Sequence, residues 1–92
     1  GATGFEAYLT DGAKLEFDGR GEWTSLDCKF SALPNGVLPE NIITYIDNRY
    51  PDAVVRKVEK LPSGYEINIA RGGSYYNVQC TFVGAGHQII EH

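Results

Sequence analysis

Long apolar runs, basic charge and histidine are what this 92-residue sequence has little of, and each shortage closes off a class of function. No stretch approaches the roughly 18 apolar residues that a membrane span requires. Lysine and arginine total 8 against 12 aspartates and glutamates, a formal charge of −4. That is the wrong sign for a nucleic-acid partner. Arg56, Lys57 and Lys60 come nearest to a basic patch, but Glu59 interrupts them and a solvated strand surface is the better reading. The 2 histidines, His87 and His92, both sit at the C-terminal end. On one strand face His87 and Glu91 would stand about 13 Å apart, too far to share a metal ion. Gly19-Arg20-Gly21 and Gly84-Ala85-Gly86 lack the third glycine and the following helix of a phosphate loop. No nucleophile, acid–base pair or metal set is assembled, so the expectation is a protein without catalytic residues, metal or cofactor. No signal peptide is visible, and a mature chain would show none either.

What is present is alternation. Phe5, Ala7 and Leu9 alternate with Glu6, Tyr8 and Thr10, the period of a half-buried strand. Asp11-Gly12 follows as a hairpin turn with positive φ expected at both positions. Lys14 to Phe17 alternates again, Asp18 to Gly21 turns the chain, and Glu22 to Cys28 reads as a third strand carrying Trp23. By strict alternation Trp23 faces away from Thr24, Leu26 and Cys28. Asp18 and Glu22 flank their turn as ordinary soluble turn formers. Pro34-Asn35-Gly36 marks a loop. Pro39-Glu40 then opens a helix, with the proline in its first turn. Ile42, Ile43, Ile46 and Tyr50 form one apolar stripe, and Pro51 stops the helix.

Strands are predicted over Ala53 to Leu61, from Tyr65 to Ala70, through Tyr76, Val78, Cys80 and Phe82, and finally from His87 to Glu91. The fold class is therefore α+β: an antiparallel sheet of about seven strands, in two meander repeats, with one helix packed on one face.

The repeat is carried by Gly4-Phe5-Glu6 against Gly64-Tyr65-Glu66, and by Phe17-Asp18-Gly19-Arg20-Gly21 against Phe82-Val83-Gly84-Ala85-Gly86. Residues 1–92 make one domain, with a first, truncated repeat at 4–28 and a second, full repeat at 39–92. On this alignment Cys80 falls opposite the core position Leu15. It reads as a small hydrophobe, with a disulfide to Cys28 as the alternative that secretion would permit. Cys28 ends the third strand, a position open to exposure.

Several of these segments together resemble a known family. Leu38 to Ile46, Tyr50-Pro51-Asp52-Ala53, Val58-Glu59-Lys60 and Gly64-Tyr65-Glu66 are similar to the PepSY-like family of small periplasmic proteins of Bacteroides-type bacteria. So are Leu15-Glu16-Phe17-Asp18, Gly21-Glu22-Trp23 and Leu26-Asp27-Cys28-Lys29. The resemblance spans roughly residues 4 to 70. It implies a fold like that of the beta-lactamase-inhibitor protein, a periplasmic or secreted location, and a binding or inhibitory role toward an unidentified protein. Two departures stand out. The family usually places a helix and strand before the first meander, and here they are lacking. The second hairpin, Arg71 to Asn77, is longer and more aromatic than the pattern.

Seven strands at about 4.8 Å span roughly 29 Å, and one helix about 10 Å wide covers only part of that. The face near Phe5, Leu15 and Phe17 is therefore expected to lack cover, which suggests a homodimer through it. The candidate binding residues are Tyr75, Tyr76 and Arg71 in the long hairpin, and Trp23, because aromatic side chains offer rigid area with a polar handle. Tyr45, Tyr50 and Tyr65 read as core. A protein-binding envelope module is the leading function, and a self-assembling structural domain is the alternative.

Overall fold

Alternation along the chain becomes two distinct faces of a single sheet in the computed structural model, which describes residues 4–29, 31–34, 36–83 and 88–91. The strands are β1 Phe5–Tyr8, β2 Lys14–Phe17, β3 Trp23–Asp27, β4 Val54–Leu61, β5 Gly64–Arg71, β6 Ser74–Val83 and β7 Gln88–Glu91. The helix α1, Glu40–Arg49, lies between β3 and β4 in the chain. Spatial order follows chain order, β1 to β7, and each neighbouring pair is antiparallel. The α+β class is as the sequence predicts. The Gly84-Ala85-Gly86 turn, His87, His92 and Asn35 lie outside the described residues.

The main core sits under α1. Ile42 and Ile46 are buried against Val58, Ile67, Ile69, Val78 and Cys80. Four positions separate these two isoleucines, so they lie on one helix face. Full burial of each contributes about 1.5–3 kcal/mol, which is what keeps a helix of 10 residues in place. Pro39 takes the cap position (φ −58°, ψ 148°) rather than the first turn. Its carbonyl accepts the N–H groups of Ile42 and Ile43. Tyr50, at φ −129° and ψ 75°, has already left the helix before Pro51.

A second, smaller cluster of Ala13, Leu26 and Cys28 is roofed by Leu33 and Val37 from the loop between β3 and α1, with Leu9 and Leu15 beside it. This corrects two expectations. Leu15 has cover, because the loop supplies it where the helix does not reach. Cys28 is fully buried, not exposed, because that loop folds over the end of β3. Cys28 and Cys80 belong to different clusters. Three strand spacings from β3 to β6 come to about 14 Å, well beyond the roughly 7 Å limit for bridging. The bridge is thus ruled out by geometry. Burial, with Asp27 and Asp11 nearby, pushes the Cys28 thiol above its ordinary value. It stays protonated and inert.

Glycine is required at two places where backbones meet. A Cβ on Gly4 would lie 1.8 Å from the Phe17 carbonyl oxygen, and one on Gly64 would lie 1.9 Å from that of Cys80. On this shared contact Cys80 occupies the place of Phe17, two residues from the sequence alignment with Leu15. The shift is even, so the face is unchanged.

The first turn also differs from expectation. It is a three-residue loop closed by Leu9 N–H donating to the Ala13 carbonyl at 2.8 Å. Only Gly12 has positive φ, 94°, while Asp11 Oδ1 accepts the Ala13 N–H at 3.0 Å. In the next turn Asp18 Oδ1 accepts the N–H groups of Arg20 (2.8 Å) and Glu22 (3.1 Å). Those bonds, that of Glu22 above all, hold the Asp18 carboxyl below its ordinary value. A lowered folded pKa means that the native state binds fewer protons than the unfolded chain. The turn's contribution is present above the unfolded value of about 3.8 and is lost as pH falls through the folded one. Asp18→Asn should therefore flatten the fall of melting temperature with acid below about pH 4. A slope unchanged from wild type would contradict this.

Candidate functional site

A bulge decides where Trp23 points. Between Glu16 and Phe17 the register jumps from Ser25 to Trp23, which leaves Thr24 as the extra residue. Thr24 Oγ1 donates to the Glu16 carbonyl. The extra residue breaks strict alternation, so Trp23 lies on the same face as Leu26 rather than on the opposite one. There it packs at the margin of the main core.

The bulge completes an aromatic line across the sheet. Phe5 stacks on Phe17 at 5.3 Å, Phe17 pairs with Trp23 across β2 and β3, and Trp23 stacks on Tyr65 at 6.3 Å. Lys60, the register partner of Tyr65, holds its ammonium 4.3 Å above the Trp23 ring. A cation over an indole face adds about 0.5–1 kcal/mol at an exposed position. The line lies on the helix side of the sheet, yet α1 does not reach its β1 end, where Phe5 is 55% exposed. Phe17, Trp23 and Tyr65 are half-buried.

The hairpin residues do not join this line. Tyr76 pairs with Ile69 and Tyr75 with Ala70, so the two tyrosines point to opposite faces. Tyr76 stacks on Tyr50 at 6.1 Å on the helix side, where Arg49 lies 5.4 Å from the Tyr50 ring. Tyr75, 66% exposed, lies on the helix-free face with the Arg56 guanidinium 6.0 Å from its ring. Arg71 is exposed at the turn. Tyr65 and Ile69 are four residues apart, about 13 Å along β5, so Trp23 and the hairpin occupy opposite ends of the sheet. The four predicted residues thus do not come together: Trp23 lies at one end of the sheet, and the hairpin residues at the other are divided between its faces and its turn.

The helix-free face is polar. Lys14 bridges Glu6 (3.2 Å) and Glu16 (3.5 Å), and Ser25 Oγ donates to Glu16 at 2.6 Å. The Ser25 bond lowers the Glu16 carboxyl, and the bond to Glu6 raises the Lys14 ammonium. Lys57, Glu59, Glu66, Asn68 and Asn77 ring a shallow depression of about 180 Å³. On the other side, Leu33, Leu38, Ile43, Ala53 and Val55 line an apolar cleft of about 310 Å³ beside α1. Among the described residues no three His, Cys, Asp or Glu side chains come together as a metal set. No helix among them is long and apolar enough to cross a membrane.

Sequence reasoning found Phe5, Phe17 and Trp23 separately but missed Lys60, and placed Tyr65 in the core. The Gly-aromatic-Glu match of residues 4–6 with 64–66 was the signal that Phe5 and Tyr65 occupy like positions.

Comparison with known proteins follows the same direction. Residues 3–86 match a family described as "Putative beta-lactamase-inhibitor-like, PepSY-like". Among solved structures, a "putative periplasmic protein" from Bacteroides vulgatus is 33% identical, with a TM-score of 0.68 over 95% of this chain and 64% of its own. A "putative calcium-regulated periplasmic protein" from Bacteroides thetaiotaomicron is 31% identical, with a TM-score of 0.71 and the same 95% and 64% coverage. A second Bacteroides vulgatus protein, of unknown function, is 27% identical with a TM-score of 0.70, covering 97% and 67%. The chain thus spans just under two thirds of the length of the first two. All three are described as periplasmic, the location expected from the resemblance. No curated protein matches.

Proposed function

The chain belongs to the PepSY-like family, and from that premise we propose that it is a non-enzymatic protein-binding module of the bacterial envelope, inhibitor-like in that it acts by occupying a partner's surface. The observation that supports this reading is the aromatic line Phe5–Phe17–Trp23–Tyr65, stacked in pairs and open at its β1 end. An exposed polar face is ordinary for an antiparallel sheet. An exposed Phe5 ring at the end of a half-buried aromatic line, with a cation over Trp23, is more informative, because such side chains anchor interfaces. The Tyr75–Arg56 pair on the far face is a further aromatic–cation contact, remote from this line, and stands as the competing site. Calcium regulation, part of one neighbour's description, is said of that protein and is not carried over: among the described residues no three His, Cys, Asp or Glu side chains come together as a metal set.

Capture of partners from a periplasmic extract on immobilised protein tests the reading. Trp23→Ser with Phe5→Ser should abolish a specific partner, while Tyr75→Ser with Tyr76→Ser keeps it; anchors of this kind cost on the order of 2 kcal/mol or more when truncated. The reverse pattern would move the site to the hairpin. A partner set unchanged by both pairs, in variants that melt normally, would overturn the reading.

A further inference from the structure

Charges of opposite sign stand unpaired around the shallow depression on the helix-free face. β4 carries a bulge at Arg56, because Val55 pairs with Ile69 and Lys57 with Asn68. The extra residue sets two successive cations on one side. Arg56 faces with Val54 toward Tyr75, and Lys57 faces with Asn68. Two residues further along β4, Glu59 is the direct register partner of Glu66, a like-charge pair that is destabilising on its own. The depression of about 180 Å³ lies between, with Lys57, Asn68 and Asn77 at one end and Glu59 and Glu66 at the other. Lys57 is placed to neutralise a glutamate, yet among the described residues it makes no ion pair. Its neighbour across β3, Asp27, is held by Lys29 at 3.7 Å. Asn68 Nδ2 donates to Asn77 Oδ1 at 3.0 Å, which leaves the Asn77 amide nitrogen to donate elsewhere.

We propose that this depression binds a free α-amino acid as its zwitterion, independently of the aromatic line on the other face. The ammonium lies between Glu59 and Glu66 and relieves their repulsion. The carboxylate lies against Lys57 and the Asn77 amide. An ion of a single sign meets its like charge at one end or the other, so complementarity selects a ligand that carries both. The volume is below the roughly 300–1,000 Å³ of drug-sized pockets, and suits one small molecule. The next row toward the hairpin sets the preference for a side chain. Val54, Ala70 and Tyr75 are in register across β4, β5 and β6, with Val54 53% and Tyr75 66% exposed. This apolar strip lies about 7 Å along the strands from the Asn68–Asn77 row, within reach of an aromatic side chain.

Two-dimensional NMR of the isotope-labelled chain, titrated with L-phenylalanine, tests the proposal. Saturable shifts of the Asn68 and Asn77 side-chain amides are expected, with a Kd of roughly 1–10 mM. N-acetyl-L-phenylalanine lacks the ammonium and L-phenylalanine amide lacks the carboxylate, and each should bind about fivefold more weakly. Glu59→Gln with Glu66→Gln should erase the preference for L-phenylalanine over its N-acetyl form. The same variant should melt no lower than wild type, because a repulsion is removed. Lys57→Gln should erase the preference over the amide. Absence of a saturable shift with L-phenylalanine up to about 50 mM would overturn the proposal. Equal affinity for the three compounds, or shifts confined to Trp23 and the helix side, would overturn it as well.

Discussion

Gly64→Ala should lower the melting temperature by roughly 10–25 °C, although it adds a single methyl group. Two effects oppose one another. Replacing a strand glycine ordinarily stabilises by about 0.5–1 kcal/mol through the unfolded chain. Here the new Cβ would lie 1.9 Å from a backbone oxygen of Cys80, and 3.0 Å from the Thr81 Cα. Backbone cannot rotate away as a side chain can, so β5 and β6 must separate at a fully buried position. Overpacking of this kind costs about 2–4 kcal/mol net. For a chain of this size each 1 kcal/mol shifts the melting temperature by roughly 4–8 °C. Gly4→Ala meets an equally short contact with Phe17, but β1 is an edge strand and can move outward, so its loss should be smaller. Thermal melts of the two variants provide the check. A Gly64→Ala variant that melts within about 2 °C of wild type would mean that the strands are not held at this spacing.

Ile67→Ala should cost about 3–4 kcal/mol, a large share of a total stability of roughly 5–14 kcal/mol for 92 residues. Ile67 is fully buried between Val58 and Val78 and lies beneath Ile42 and Ile46. A helix and two central strands surround the cavity, and none can collapse into it without dragging its neighbours. Leu26→Ala removes a similar volume at an equally buried position, yet its roof is the loop carrying Leu33 and Val37. A loop can settle, so about 2–3 kcal/mol is expected there. Tyr75→Ala, at a position 66% exposed, should change stability by less than about 0.5 kcal/mol. Urea unfolding of the three variants ranks them. Equal losses for Ile67 and Leu26 would show that a loop roof is as rigid as a helical one.

Much of this architecture is legible in the sequence because alternation is a local code. Phe5-Glu6-Ala7-Tyr8 and Tyr65-Glu66-Ile67-Asn68 state which side chains share a face. The stripe of Ile42 and Ile46 states which side of the helix is apolar. The code fails where one residue is inserted. Thr24 is such a residue, and reading through it without a break sends Trp23 to the wrong side. It fails equally for the loop over Cys28, since residues 29–38 have no periodicity that would reveal what they cover. The hairpin pair Tyr75-Tyr76 was legible as aromatic but not as a site. Adjacent strand residues face opposite ways, and that simple fact divides the pair.

By itself the sequence determined the α+β class, the order of strands and helix along the chain, the apolar face of the helix and of most strands, and the resemblance to the PepSY-like family. Those properties are local or repeated, and each is written in consecutive residues. Only the tertiary structure decided what covers what. The loop reaches Leu15 and Cys28 before the helix can, the two thiols lie in separate clusters, and a single bulge brings Trp23 into line between Phe17 and Tyr65. These depend on register and on distance between strands remote in the chain, where one extra residue reverses a side chain.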